Sequence, residues 1–76
     1  MRTVTFGAAP CSSSKPSERE LECMRWVAAG KTDWEIGMIL GLSSSTARFH
    51  IENARRKLDA STRAQAVAIL FTRGLL

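Results

Sequence analysis

The stretch GKTDWEIGMILGLSSSTARFHIENARRKL, residues 30 to 58, decides the fold. It opens with Thr32-x-x-Glu35, the form of a capping box, in which the hydroxyl accepts a free helix N–H and the acid returns to the cap's own N–H. Ile36, Ile39 and Leu40 follow as the apolar positions of a short helix, which Gly41 closes. Ser43 caps the next helix, where Ala47, Ile51, Ala54 and Leu58 recur at helical spacing. Gly37 stands four residues before Gly41, and Ala47 follows six later. Two tightly crossing helices need a small residue at the crossing, a glycine in the turn, and an apolar residue where the second helix returns to the first. Ile36, Leu40 and Leu42 fill the remaining inward positions. An ordinary helical hairpin would satisfy the same features.

The helix after Ser43 separates the two readings. At about 100° per residue, its alanines and aliphatics face inward, leaving Ser44, Ser45, Arg48, Phe49, Glu52 and Arg55 or Arg56 facing out. A solvated face rarely displays a phenylalanine between an arginine and a glutamate. Arg48 carries the bidentate fork that suits guanine O6 and N7, Phe49 an apolar contact for a thymine methyl, and Glu52 an acceptor for cytosine N4. Ser44, Ser45 and Thr46 lie at the helix N-terminus, where hydroxyls, free N–H groups and the dipole favour phosphate. Arg56 and Lys57 come two turns or more later and are better placed for backbone phosphates. Together these residues predict a helix over about 44–58 that enters the major groove of duplex DNA.

Outward from this stretch, Ser17-x-x-Glu20 forms a second capping box. It opens a helix that runs to about Ala29, with Leu21, Met24 and Val27 on one stripe and Gly30 as its stop. Ser61 or Thr62 caps a last helix ending near Arg73, with Gly74 beyond it. The apolar positions of that helix, Ala64, Ala66, Val67, Ala68, Ile69, Leu70 and Phe71, are more than one core stripe requires. The fold class is therefore all-α, four helices over residues 16–76. Residues 1–15, punctuated by Gly7, Pro10 and Ser12 to Ser14, read as a flexible leader or interdomain linker.

Charge follows the same division. The net charge is +4 with a pI near 9.8. Residues 16–42 set Glu18, Glu20, Glu22, Asp33 and Glu35 against Arg19, Arg25 and Lys31, whereas residues 43–58 set Arg48, Arg55, Arg56 and Lys57 against Glu52 alone. A basic segment on a mildly acidic body fits a polyanion partner, and by charge alone it equally fits a solvated helix face. No apolar run approaches the roughly 20 residues of a membrane span, and the start of the chain lacks a signal-peptide core. A cytoplasmic, nucleoid-associated protein is expected. Cys11 and Cys23 read as reduced thiols. With His50 the single imidazole and no Cys-x-x-Cys spacing, neither a metal site, a cofactor nor a catalytic residue is expected, and an enzyme is disfavoured.

The residues from Gly30 to Leu58 resemble the core of the LuxR-type helix-turn-helix domain. That pattern runs Gly-x-Ser/Thr-x-x-Glu-Ile, Leu-x-Ile-Ser-x-x-Thr-Val-Lys-x-His and Lys-Leu. The likeness extends back to Ser17–Glu20 and forward through Arg63, Ala66, Val67, Gly74 and Leu75, about 60 of the 76 residues. Gly-Lys-Thr-Asp-Trp-Glu-Ile followed by Phe-His-Ile-Glu-Asn-Ala is similar in particular to the quorum-sensing branch, receptors for acyl-homoserine lactones. The resemblance implies a three-helix core, with the third helix in the major groove and a fourth that pairs with its twin. Base reading would fall on Arg48, Phe49 and Glu52, phosphate contact on Thr32, Thr46 and Lys57, and a structural role on Glu20. Pairing would use the face of Ala64, Ala68 and Phe71.

Several positions depart from the pattern. Pro16 replaces a usual leucine, Ala47 a common valine, and Arg48 a common lysine, which keeps the charge but changes the donor geometry. Glu52 is acidic on a face that meets phosphates, so it must read a base or orient Arg48 or Arg56. No ligand-binding domain lies within these residues. The chain is either a free-standing regulator or, as expected here, the output domain of a longer receptor. The partners expected are double-stranded DNA and a second copy of the chain on it. The alternative is a helix-turn-helix interaction module that docks on RNA polymerase or another regulator.

Overall fold

The computed structural model describes residues 15–76, which form helices α1 (Glu18–Ala28), α2 (Asp33–Leu40), α3 (Ser44–Lys57) and α4 (Arg63–Thr72), with no strand among them. Cys11 and nearly all of the expected leader lie outside the described residues.

Both capping boxes form. The Ser17 hydroxyl accepts the Glu20 N–H at 3.2 Å while the Ser17 N–H donates to Glu20 at 2.9 Å. Thr32 and Glu35 repeat the arrangement with the same two distances. Ser43 caps α3 and Thr62 caps α4, each accepting the N–H three residues on. All four helix ends close alike: an N–H reaches back five residues to a carbonyl, from Lys31, Leu42, Ala60 and Leu75, at 2.8 to 3.0 Å. Just before each donor the backbone turns left-handed, at Gly30, Gly41, Asp59 and Gly74. Asp59, with φ 56°, is the one residue with a side chain among them; a short acid tolerates this region better than most.

α3 is the centre of the molecule and packs against the other three helices. Ala47, Ile51 and Ala54 are wholly buried, and Leu58 nearly so, so the inward stripe read from the sequence forms the core. It meets Leu21, Cys23 and Met24 of α1, Ile36 of α2, Ala60 of the last connection, and Ala66 and Leu70 of α4. Pro16, despite its departure from the family pattern, is buried ahead of the α1 cap. Val27 is half-buried at the margin of this core.

The α2–α3 turn is tight because of Gly37. A Cβ built there would lie 2.5 Å from the Leu42 carbonyl oxygen. Gly37 therefore takes an inward position, and the buried arc of α2 is centred on Ile36, Gly37 and Leu40. Ile39, an apolar position of this helix that the sequence reading did not count among the inward ones, sits about 60° beyond Ile36, on the side away from Gly37, and is 45% exposed. Trp34 and Met38 are exposed on the same helix, as is Phe71 on α4.

Candidate nucleic-acid interface

The cap of α3 gathers the hydroxyls that the sequence reading assigned to phosphate. Ser43 Oγ accepts the Thr46 N–H at 3.1 Å, donates to Thr46 Oγ1 at 2.8 Å and lies 3.2 Å from Ser45 Oγ. Because Ser43 serves Thr46, the N–H groups of Ser44 and Ser45 have no acceptor among the described residues. Ser44, Ser45 and Thr46 are exposed. This end of α3 thus presents two free N–H groups, exposed hydroxyls and the positive pole of the helix dipole to an anion.

Arg48 and Phe49 stand one turn further along, 66% exposed at the arginine side chain and 60% exposed at the phenylalanine. The Phe49 ring meets His50 edge-on, with centroids 5.9 Å apart. Arg48 Nε donates to Asp33 Oδ2 at 3.0 Å, and the other carboxylate oxygen accepts from Arg63 Nη1 at 2.7 Å. Asp33 thereby links the first turn of α2 to the middle of α3 and the start of α4. Thr32, the α2 cap, is exposed and immediately precedes Asp33. Its hydroxyl accepts from Glu35 and keeps its own proton for a further acceptor.

Glu52 is half-buried and binds Arg55, whose Nε lies 2.9 Å from it. The expectation that Glu52 orients Arg48 or Arg56 is corrected by this pairing. Arg55 does not face outward either: its Nη1 donates to the Ala60 carbonyl at 2.8 Å, fastening the end of α3 to the α4 connection. Arg48 and Arg56, four residues to either side of Glu52, are also within reach of it on the helix, but Arg48 is taken by Asp33 and Arg55 is fixed beside Glu52 by the Ala60 carbonyl. Arg56 is exposed and touches only Asn53, at 3.4 Å, among the described residues.

Lys57 Nζ lies 2.9 Å from Glu20 Oε1, tying the end of α3 to the cap of α1. Glu20 is thus the structural acid that the resemblance implied, and Lys57, a phosphate candidate, is held by it while two of its donors stay free. Burial pushes the Glu20 carboxyl up, but the Ser17 N–H and the Lys57 ammonium together outweigh this and leave it below its ordinary value. Arg63 first, then Arg48, hold the Asp33 carboxyl below its usual range against the opposing effect of burial. A depressed folded-state value contributes stability above the ordinary carboxylate pKa that is lost as pH falls through the folded one. Urea midpoints are therefore expected to be level above about pH 5 and to fall below it. Glu20→Gln together with Asp33→Asn should flatten that slope, and an unchanged slope would contradict this account.

Of the sequence-assigned residues on α3, Ser44, Ser45, Thr46, Arg48, Phe49 and Arg56 are thus exposed and Glu52 is half-buried, while Thr32 precedes Asp33 at the α2 cap. The structure adds Asp33, Arg63 and Asn53, which sequence reasoning missed, and of the two arginines offered for the outward side it leaves Arg56, with Arg55 turned to Glu52 and Ala60. Asp33 is 15 residues from Arg48 and 30 from Arg63, so no local spacing could announce either pair. Ala64, Ala68 and Phe71 lie exposed on a separate face of α4. Among the described residues no group of His, Cys, Asp and Glu is placed to hold a metal ion, and no helix is long and apolar enough to cross a membrane.

A short helix, a left-handed glycine turn and a second helix that shows its polar, basic side to solvent define a helix-turn-helix DNA-binding domain. The family described as bacterial regulatory proteins, luxR family, matches residues 16–70. The chain is 45% identical over 67 residues to the HTH-type quorum sensing-dependent transcriptional regulator RpaR of Rhodopseudomonas palustris, covering 88% of this chain and 28% of that protein. It is 45% identical over 60 residues to the transcriptional activator protein PhzR of Pseudomonas fluorescens, covering 79% of this chain and 25% of the relative. With the transcriptional activator protein LuxR of Aliivibrio fischeri it shares 40% over 57 residues, 75% of this chain and 23% of that one. The chain belongs to the LuxR family and is a DNA-binding domain of its transcriptional regulators. It spans about a quarter of the length of these relatives.

Proposed function

We propose that the chain reads a specific duplex sequence by inserting α3 into the major groove, without catalysing a reaction. The observation that carries this is the exposure of Phe49 on the side of α3 opposite its wholly buried alanines and isoleucine, with Arg48 exposed on the flank beside it. Arg48, Phe49 and Glu52 contact base edges. Ser44, Ser45, Thr46 and Thr32 hold one phosphate ridge, and Arg56 and Lys57 the other. Exposed Ala64, Ala68 and Phe71 on one face of α4 support pairing of two copies, which would set two α3 helices about 34 to 36 Å apart on a two-fold site. The small size of that face is consistent with a largely monomeric chain in dilute solution, pairing when DNA holds two copies together. By analogy with the relatives, the domain is the output part of a quorum-sensing regulator acting at the nucleoid in the cytoplasm.

The second reading, a module docking on RNA polymerase or another regulator, is favoured by exposed Trp34, Met38 and Ile39 on α2. A titration of fluorescent duplex against the chain at rising salt separates the two. A DNA reader neutralising Z phosphates gives a log–log slope of about −0.9Z. Arg56→Ala is expected to reduce that slope by about one. Absence of duplex binding at low salt would remove the DNA reading.

A further inference from the structure

We propose that Asp33 is a specificity-determining positioning residue: by occupying the Nε edge of Arg48, it presents the arginine's terminal nitrogens end-on to the base. The proposal rests on the reading of Arg48 as a base contact and adds how its direction is set. A guanidinium has two edges able to grip a pair of acceptors, one containing Nε and one formed by the two Nη groups. Asp33 Oδ2 takes Nε at 3.0 Å, and no acceptor for either Nη is found among the described residues. The end-on fork is therefore the one left for a guanine O6 and N7 pair.

Asp33 is itself fixed. Arg63 Nη1 holds Oδ1 at 2.7 Å and Arg63 Nη2 lies 3.5 Å from Oδ2, so two arginines from different helices share one carboxylate. The carboxylate side chain is 14% exposed, whereas Arg48 is 66% exposed: the anchor is sheltered and the reader is free. Asp33 is also the first residue of α2, where the dipole favours an acid. A long arginine otherwise samples many rotamers, and ordering one on binding weakens affinity for the right base most, because only there is the ordered geometry rewarded. An acid on a DNA-facing side weakens general attraction to phosphate, so its presence favours discrimination over raw affinity.

The full chain is used to select from a duplex library with a randomised centre. The preferred duplex, its single-base-pair variants and the unselected library are then titrated with wild type, Arg48→Ala, Asp33→Ala and Asp33→Asn, and folding is checked by circular dichroism. Asp33→Ala is expected to bind the library as tightly as wild type or more tightly, yet to lose about three- to tenfold of discrimination at the base pair where Arg48→Ala also loses it. Asp33→Asn, close to isosteric, carries the comparison if Asp33→Ala unfolds, with a smaller loss of the same kind. Equal gains on preferred and library duplexes would mean that Asp33 only screens Arg48, and would overturn the proposal. Parallel losses on both duplexes, in step with lost folding, would reduce Asp33 to a brace and overturn it too. If Arg48→Ala costs discrimination but neither Asp33 variant does, only the positioning role fails. If Arg48→Ala costs none, the base-reading assignment fails with it.

Discussion

Gly37→Ala is expected to lower the stability of the domain by about 3 kcal/mol, at the upper end of overpacking losses. The added methyl would sit 2.5 Å from the Leu42 carbonyl oxygen, with the Ser43 backbone at 3.2 and 3.3 Å behind it. None of these atoms is the end of a flexible side chain, so relief requires α3 to move away from α2. That movement also tilts the outward side of α3 against the turn. In a domain of this size, with only a few kcal/mol in hand, a large share of the molecules would be unfolded at ambient temperature. Gly41→Ala is the informative partner: nothing lies within 4 Å of its added carbon, and only the left-handed φ of 73° opposes it. Its loss should be about 1 kcal/mol. Urea unfolding followed by circular dichroism, read at constant m, measures both. A Gly37→Ala protein no less stable than Gly41→Ala would show that the crossing is looser than described.

The second large effect concerns binding. Arg48→Ala should cost about 1–3 kcal/mol on the preferred duplex per recognition helix, with a smaller loss on random duplex. The folded state should hardly notice, because the arginine is mostly exposed and Asp33 keeps Arg63. Anisotropy titrations on the two duplexes, with a urea curve as control, test this directly. Equal losses on both would make Arg48 a phosphate anchor and remove the division between reading and anchoring residues.

Much of this architecture was legible in the residues. The two capping boxes, Ser43, and the choice between Ser61 and Thr62 mark four helix starts, because a cap needs only a short polar side chain and a backbone N–H three residues on. The helix ends at Gly30, Gly41 and Gly74 were equally plain, whereas Asp59 was not, since a left-handed aspartate has no compositional mark. The interior stripe of α3 followed from its period alone. Contacts between helices were hidden: Lys57 meets Glu20 across 37 positions, and Asp33 gathers two arginines from helices not yet formed when it is read. That Gly37 rather than a third large side chain shares the inward arc of α2 with Ile36 and Leu40 was hidden for a related reason. The phase of a short helix is set by where it crosses its neighbour, here at Gly37, and not by its own apolar count. Glu52 took its nearest partner, Arg55, rather than either of the arginines proposed for it.

The exposure of Trp34 has an optical consequence. The chain has two tryptophans and no tyrosine, so its ultraviolet emission comes from Trp26 and Trp34. Trp26 is half-buried against the core, while Trp34, 64% exposed, follows Asp33 on the helix that flanks α3. One indole therefore reports on the interior and the other on the solvent side of α2. A single-tryptophan variant of each kind would give separate native light signals for denaturation and for docking, with no dye attached to the molecule.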